Sequence, residues 1–214
     1  MNQEIITITN EYEVLDALFE THESVFVVCG KSIQNLNIYS YLKKIEQKCK
    51  VIYFHAFQPN PTYDSVVEGV QKFRQSNAKL IVAIGGGSAM DVAKCIKLFC
   101  NMNDDQLFLE QPIIPNNVHL IAMPTTAGTG SESTKFAVIY YNGVKQSVTD
   151  ESIIPSKIIF DSSALKTLPY SVRCSSMFDA LSHAIESYWS INSTDKSKSI
   201  AKDAIQMILE DKDQ

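Results

Sequence analysis

The sequence predicts an α/β protein with a parallel-sheet nucleotide-binding domain, followed by the beginning of an all-helical domain. Three observations predict it. Short, continuously apolar runs end at turn residues. Longer amphipathic segments alternate with them. Two of the runs lead directly into loops of glycine and small hydroxyl residues. Continuous apolar runs mark strands buried on both faces, and helices between them place those strands in a parallel sheet.

The elements follow in order. "SVFVVCG" (24–30) is a strand ending at Gly30, and "NIYSYLKKIEQK" (37–48) is a helix with Ile38, Leu42 and Ile45 on one stripe. "KVIYFHAF" (50–57) is the next strand, and "PTYDSVVEGVQKFRQSN" (61–77) a helix facing inward through Val66, Val70 and Phe73. "AKLIVAIGGGS" (78–88) is a strand running into a glycine turn, followed by the helix "AMDVAKCIKLFCNM" (89–102). "HLIAMPTT" (119–126) is a further strand. The texture then changes. Residues 131–150 read as a hairpin with Asn142-Gly143 as a type I′ turn, and "KIIFD" (157–161) is the last short strand. After a boundary near Ser162 the chain is helical, including the segment "TDKSKSIAKDAIQMILED". The expected domains are therefore 1–162 and 163–214.

The helical part is too short to bury a core of its own. Its helix at 176–190 carries Met177, Phe178, Leu181, Ala184, Ile185, Tyr188 and Trp189, which leave little polar face. Such a helix belongs inside a larger helical assembly. The expectation is that further helices are missing, and that exposed apolar surface drives self-association, so a homo-oligomer is expected.

Composition excludes other classes. The chain has 214 residues, 45% apolar and 20% charged, with a net charge of −5. Lysines and arginines are scattered, so neither a nucleic acid nor a membrane surface is the expected partner. No apolar run approaches the roughly 18 residues of a membrane span. The first residues carry Glu4, Glu11 and Glu13 and no basic stretch, unlike a signal peptide. Five cysteines, an odd number without C-x-x-C spacing, suit reduced thiols and a cytoplasmic setting.

Three stretches can carry chemistry. In "AIGGGSAMDVAK" (83–94), glycines between a strand and a helix let a ligand approach the backbone, and the helix start offers N–H groups to a pyrophosphate. Ser88 can cap that helix or donate to a phosphate. The spacing is not G-x-G-x-x-G, and a bare strand-to-helix turn accounts for the same residues. "PTTAGTGSES" (124–133) is a second small-residue loop after a strand, where open α/β sheets bind ligands. In "SSMFDALSHAIESYWS" (175–190), Asp179 and His183 stand one helical turn apart, as two ligands of one metal would. Taken alone, that pair is a common accident of a helix. His22, His55 and His119 read as structural, and Lys145 as a solvated residue.

These stretches occur together in one family. With "PNPTYDSVVEG" (59–69), "IGGGSAMDVAK" (84–94), "IAMPTTAGTGSEST" (121–134), "IFDSSALKTLP" (159–169) and "FDALSHAIESY" (178–188), the chain resembles the iron-containing (group III) alcohol dehydrogenases. The resemblance implies a dehydroquinate synthase-like architecture, with a dinucleotide-binding domain, a helical domain, and metal and substrate between them. It implies an NAD(P)H cofactor and Fe²⁺ or Zn²⁺, acting on a small aldehyde or alcohol. By position, Gly86, Gly87, Ser88 and Asp91 would meet the pyrophosphate region. Thr125, Thr126, Thr129 and Ser131 would line the cofactor, and Phe136, Lys145 and Leu165 would touch it further along. Asp179 and His183 match the first two metal ligands, and the family's other two are downstream histidines. Members that prefer NAD often place an aspartate where this chain has Gly30, and Lys31 and Ser32 could bind a 2′-phosphate instead, which favours NADPH. Residues 135–155 and 188–199 resemble the phosphonoacetaldehyde reductases, which form 2-hydroxyethylphosphonate. The alternative expectation is a truncated, inactive chain that keeps only a nucleotide-binding domain.

Overall fold

In a computed structural model of the chain, residues 3–9 and 11–210 are described. Among them two compact units stand out, one from residues up to 125 together with 131–167, the other from 126–130 together with the residues from 168 onward. The chain passes between units after Thr167, a few residues beyond the predicted boundary at Ser162, and the segment Thr126–Gly130 groups with the helices.

The larger unit is wound on a parallel six-stranded sheet. Its elements are β1 (Glu4–Ile8), α1 (Asp16–Phe19), β2 (Ser24–Cys29), α2 (Asn37–Ile45), β3 (Lys50–Phe54), α3 (Tyr63–Ser76), β4 (Leu80–Gly85) and α4 (Gly87–Phe99). They continue with β5 (His119–Pro124), the hairpin β6 (Phe136–Tyr141) and β7 (Val144–Thr149), β8 (Lys157–Asp161) and α5 (Ser162–Lys166). The strand order is β1-β8-β5-β4-β2-β3. β2 has β3 on one side and β4 on the other, so the winding reverses there. The crevice beyond the ends of β2 and β4 is thus the switch point where doubly wound sheets take their ligands.

Both faces of the sheet are covered, which is why the strands read as continuous apolar runs. Phe26, Val28 and Phe54 face α3 and α4, packing with Val66, Val70, Phe73, Val92 and Ile96. The alternate residues Val25, Val27 and Cys29 face α1 and α2, packing with Phe19, Ile38, Leu42 and Ile45. Local chemistry sets the ends. Thr62 accepts from the Ser65 amide to cap α3, and Asn77 closes it in the left-handed region at φ 56°. Asn142 and Gly143, at φ 50° and 75°, make the tight turn of the β6–β7 hairpin as expected.

One strand was not expected. β1 pairs in parallel with β8 at the sheet edge, Glu4 opposite Lys157 and Ile8 opposite Asp161. The alternation in "EIITI" is its signal, but polar neighbours and a half-exposed burial pattern make it faint. Beyond it, the Tyr12 hydroxyl donates to the buried Asp161 carboxylate.

The helical unit contains α6 (Tyr170–Trp189) and α7 (Asp195–Glu210). The predicted helix 176–190 starts earlier, at Tyr170, and the predicted reach of the last helix to Asp211 lies outside the described residues. A reciprocal cap starts α7: the Ser197 amide donates to the Thr194 hydroxyl, and the Thr194 amide donates to the Ser197 hydroxyl. Ala184 is the buried residue of α6 and Ala201 that of α7.

Candidate functional site

β4 and β5 are adjacent parallel strands with Gly85 opposite Pro124, so the glycine turn and the threonine loop leave the sheet side by side. The Thr125 amide donates to the Gly85 carbonyl at 3.0 Å and ties the two exits together. Gly85 itself is required by the backbone. Its φ is +156°, and a Cβ there would lie 2.7 Å from that of Ala89.

α4 begins directly at Gly87, with Gly86 as N-cap and no side-chain cap. This corrects one expectation. Ser88 lies inside the first turn and is not the cap, because the glycines let the helix start at Gly87, one residue before its first polar side chain. The first amides of α4 therefore have no acceptor within the helix, and the dipole's positive end faces the strand exits. Gly86, Gly87 and Ser88 are the residues that could receive a pyrophosphate.

The side chains behind this turn form a buried polar cluster. Asp91 accepts from the Ser131 hydroxyl at 2.9 Å, and burial raises its carboxyl above the usual range despite that bond. Lys145, on β7, is near enough to draw it back down. Lys94, fully buried, donates to the Ser131 carbonyl at 2.5 Å, the Thr134 carbonyl at 2.7 Å and the Phe136 carbonyl at 2.8 Å. It also reaches the Ser131 and Thr134 hydroxyls, at 3.2 and 3.1 Å. Burial pulls its ammonium down to about 8. Lys94 thus pins the far end of the threonine loop to α4. Sequence reasoning missed it, although a lysine on the apolar face of "VAKCIKLF" is a visible anomaly.

Of the predicted cofactor residues, the structure gathers Asp91, Ser131 and Phe136 around Lys94 in the larger unit, with Lys145 near Asp91. Phe136 enters through its carbonyl, and its side chain is exposed. Thr125 joins the glycine turn. Thr126 and Thr129 group with the helical unit, so the predicted hydroxyls divide between the two units. Leu165 sits apart from this cluster on α5, just past β8. Gly30 follows β2 and stands at the N-cap of a short helical turn, Lys31–Asn35, in which Lys31 and Ser32 are exposed. Gly30 and Lys31 line a cleft of about 650 Å³ shared with His55, Phe57, Asn60 and Ser65.

In the helical unit, Asp179 and His183 share one face of α6. Nδ1 of His183 lies 3.9 Å from Oδ1 of Asp179, and both side chains are exposed. A carboxylate and an imidazole at this spacing suit a divalent first-row metal. Among the described residues no group of three or more acidic, histidine or cysteine side chains converges. Gly128 lies against the same helix. A Cβ on it would come within 2.8 Å of the Ser176 carbonyl oxygen and 3.0 Å of Oδ2 of Asp179. The cysteines take no part. Four are buried, and burial pushes the Cys29 thiol up to about 12.

Fold and strand-end loops define a doubly wound α/β protein with its ligand crevice at the switch point of the sheet. The chain belongs to the iron-containing alcohol dehydrogenase family, whose model matches residues 2–162. It is 39% identical over 168 residues to an NAD-dependent methanol dehydrogenase of Bacillus methanolicus, covering 75% of this chain and 43% of that protein. It is 32% identical over 199 residues to an NADPH-dependent butanol dehydrogenase of Clostridium saccharobutylicum, covering 88% of this chain and 51% of that one. The chain spans about half or less of the length of these relatives. Among solved structures, a sulfoacetaldehyde reductase from Bifidobacterium kashiwanohense in complex with NAD⁺ superposes with a TM-score of 0.85 at 27% identity. That match covers 96% of this chain and 57% of the other.

Proposed function

We propose that this chain carries the cofactor-binding part of a metal-dependent, NAD(P)-linked alcohol dehydrogenase or aldehyde reductase. The observation that carries this reading is the pairing of two strand-end loops by the Thr125–Gly85 hydrogen bond beside the uncapped start of α4. In it, the amides of Gly87 and Ser88 and the Ser88 hydroxyl hold the pyrophosphate. Thr125, Thr126, Thr129 and Ser131 line the rest of the nucleotide, and Asp91 and Lys94 keep Ser131 in place. Asp179 and His183 supply two ligands for Fe²⁺ or Zn²⁺. When bound, the nicotinamide supplies a hydride and the metal supplies Lewis-acid polarisation of the carbonyl.

NADPH is the preferred form in this reading. Gly30 brings no carboxylate to the end of β2, and Lys31 is exposed beside it in the cleft. The proposed substrate is a small aldehyde, phosphonoacetaldehyde being the specific candidate. The likeness to a sulfoacetaldehyde reductase, whose name also specifies an aldehyde carrying an oxyanion, supports that choice. A cytoplasmic homo-oligomer is part of the proposal, its contacts supplied by apolar residues exposed on the helical unit such as Trp189 and Ile191, 79% and 99% exposed.

A second reading has its own observation. Two exposed donors on α6 hold a metal weakly, so the chain can bind nucleotide without turning over substrate. One experiment separates the two: calorimetric titration of the chain with NADPH and NADH, alongside aldehyde reduction with added Fe²⁺ or Zn²⁺. Binding with turnover supports the first reading, and binding without turnover the second. Failure of both nucleotides to bind overturns both.

A further inference from the structure

The cleft beyond β2 contains a histidine that the proposed reaction has not used. β2 and β3 are paired in register, Val28 opposite Phe54, so His55 follows β3 next to the end of β2. Its Nδ1 lies 3.0 Å from the Cys29 carbonyl oxygen. A carbonyl only accepts, so Nδ1 carries the proton of that bond, and Nε2 is the nitrogen left for a ligand. The ring is stacked on Tyr53 at 5.9 Å and 13°. Nδ1 is also 3.4 Å from the Cys29 sulfur. The imidazole is therefore fixed on one side by backbone and on one face by an aromatic ring. Among the described residues Nε2 has no hydrogen-bond partner, and His55 lines the cleft with Gly30 and Lys31.

We propose that His55 is a specificity-determining residue that reads the 2′-phosphate of NADPH, donating from Nε2 while Lys31 supplies the second positive charge. This rests on the nucleotide lying at the switch point, as proposed above. The chemistry favours it: a phosphate monoester takes charge-assisted bonds from an imidazolium and an ammonium. A ribose 2′-hydroxyl gains little from either and would be best held by a carboxylate, which Gly30 does not provide. The charged and titratable groups around the ring are few. Lys31 lines the same cleft from the turn after β2, and burial keeps the Cys29 thiol uncharged. Tyr53, beneath the ring, donates its hydroxyl to Glu46 of α2 at 2.9 Å, with Lys43 of α2 5.5 Å over the Tyr53 ring. None places a negative charge against Nε2 that would compete with the phosphate.

Calorimetric titration of the 214-residue chain with 2′,5′-ADP and 5′-AMP tests this. 2′,5′-ADP is expected to bind about tenfold more tightly than 5′-AMP, about 1.4 kcal/mol. His55→Asn keeps a donor for the Cys29 carbonyl and removes Nε2. It should cut 2′,5′-ADP affinity about tenfold and leave 5′-AMP unchanged. Nitrogen-15 spectra of the unsubstituted protein give a readout independent of that variant's folding, with Nε2 of His55 shifting on addition of 2′,5′-ADP and not of 5′-AMP. An unchanged 2′,5′-ADP affinity in His55→Asn, an equal loss for both nucleotides, or no Nε2 shift overturns the role of His55 alone. If 5′-AMP binds as tightly as 2′,5′-ADP to the unsubstituted protein, the NADPH preference falls and this inference with it.

Discussion

Helices α4 and α6 both carry predicted site residues, and they differ in what surrounds them. α4 has 13 residues, of which ten are buried, two lysines among them. α6 has 20 residues and one buried, Ala184. On α4, Asp91 and Lys94 are held by hydrogen bonds to a loop that closes over them. On α6, Asp179 and His183 stand in the open, and Phe178 and Trp189 on the same helix are 61% and 79% exposed. Residues of the same chemical kind are thus fixed in one helix and merely presented in the other. Preorganisation comes from the packing around a side chain, and a motif supplies only the side chain.

The largest effect expected from breaking this contrast is at Lys94. Lys94→Met leaves five buried or half-buried oxygens without their donor and should cost about 3–5 kcal/mol in urea unfolding. A loss under about 1 kcal/mol, the size typical of a surface change, would make α4 no more integrated than α6. Next comes Gly128→Ala. Its Cβ meets a backbone carbonyl at 2.8 Å that cannot rotate away, so a cost of about 1–3 kcal/mol is expected. Faster hydrogen exchange in the first turns of α6 would report it, and unchanged exchange there would count against the contact.

A pH-dependent effect sharpens the comparison further. The folded-state value of Lys94 is about 8, below the ordinary lysine value of 10.5, so between those limits the unfolded chain holds more protons than the folded one. Stability from this group therefore rises as the pH goes from about 8 toward 10.5, and is flat below 8. The rise should vanish in Lys94→Met. Smallest of all is Trp189→Gln, expected to change stability by under about 0.5 kcal/mol while reducing self-association in sedimentation experiments. A large loss of stability there would mean α6 is covered after all.

Much of the fold was legible because its strands are apolar on both faces and its helices carry clean stripes. The expected strands at 24–30, 50–57, 78–88 and 119–126 appear with their ends trimmed, since the terminal residues are already turning out of the sheet. β1 was missed because an edge strand with one covered face leaves only a weak alternation. At the candidate site, the glycine turn, the threonine loop and the Asp179–His183 spacing could all be picked out as motifs. Lys94 could not be assigned a role, because its partners Ser131, Thr134 and Phe136 lie some forty residues away in the chain.

By itself the sequence determined what local forces control. It set the order of strands and helices, the glycine that must accept a φ of +156°, the type I′ turn at Asn142-Gly143, and the i, i+4 placement of two metal-type ligands. The tertiary structure alone decided which loops became neighbours. β5 lies beside β4 and β3 beside β2, so Thr125 reaches Gly85 and His55 reaches Cys29. The physical reason is range. Backbone sterics and side-chain periodicity act within a few residues, whereas strand order is fixed by burying both faces of a whole sheet at once.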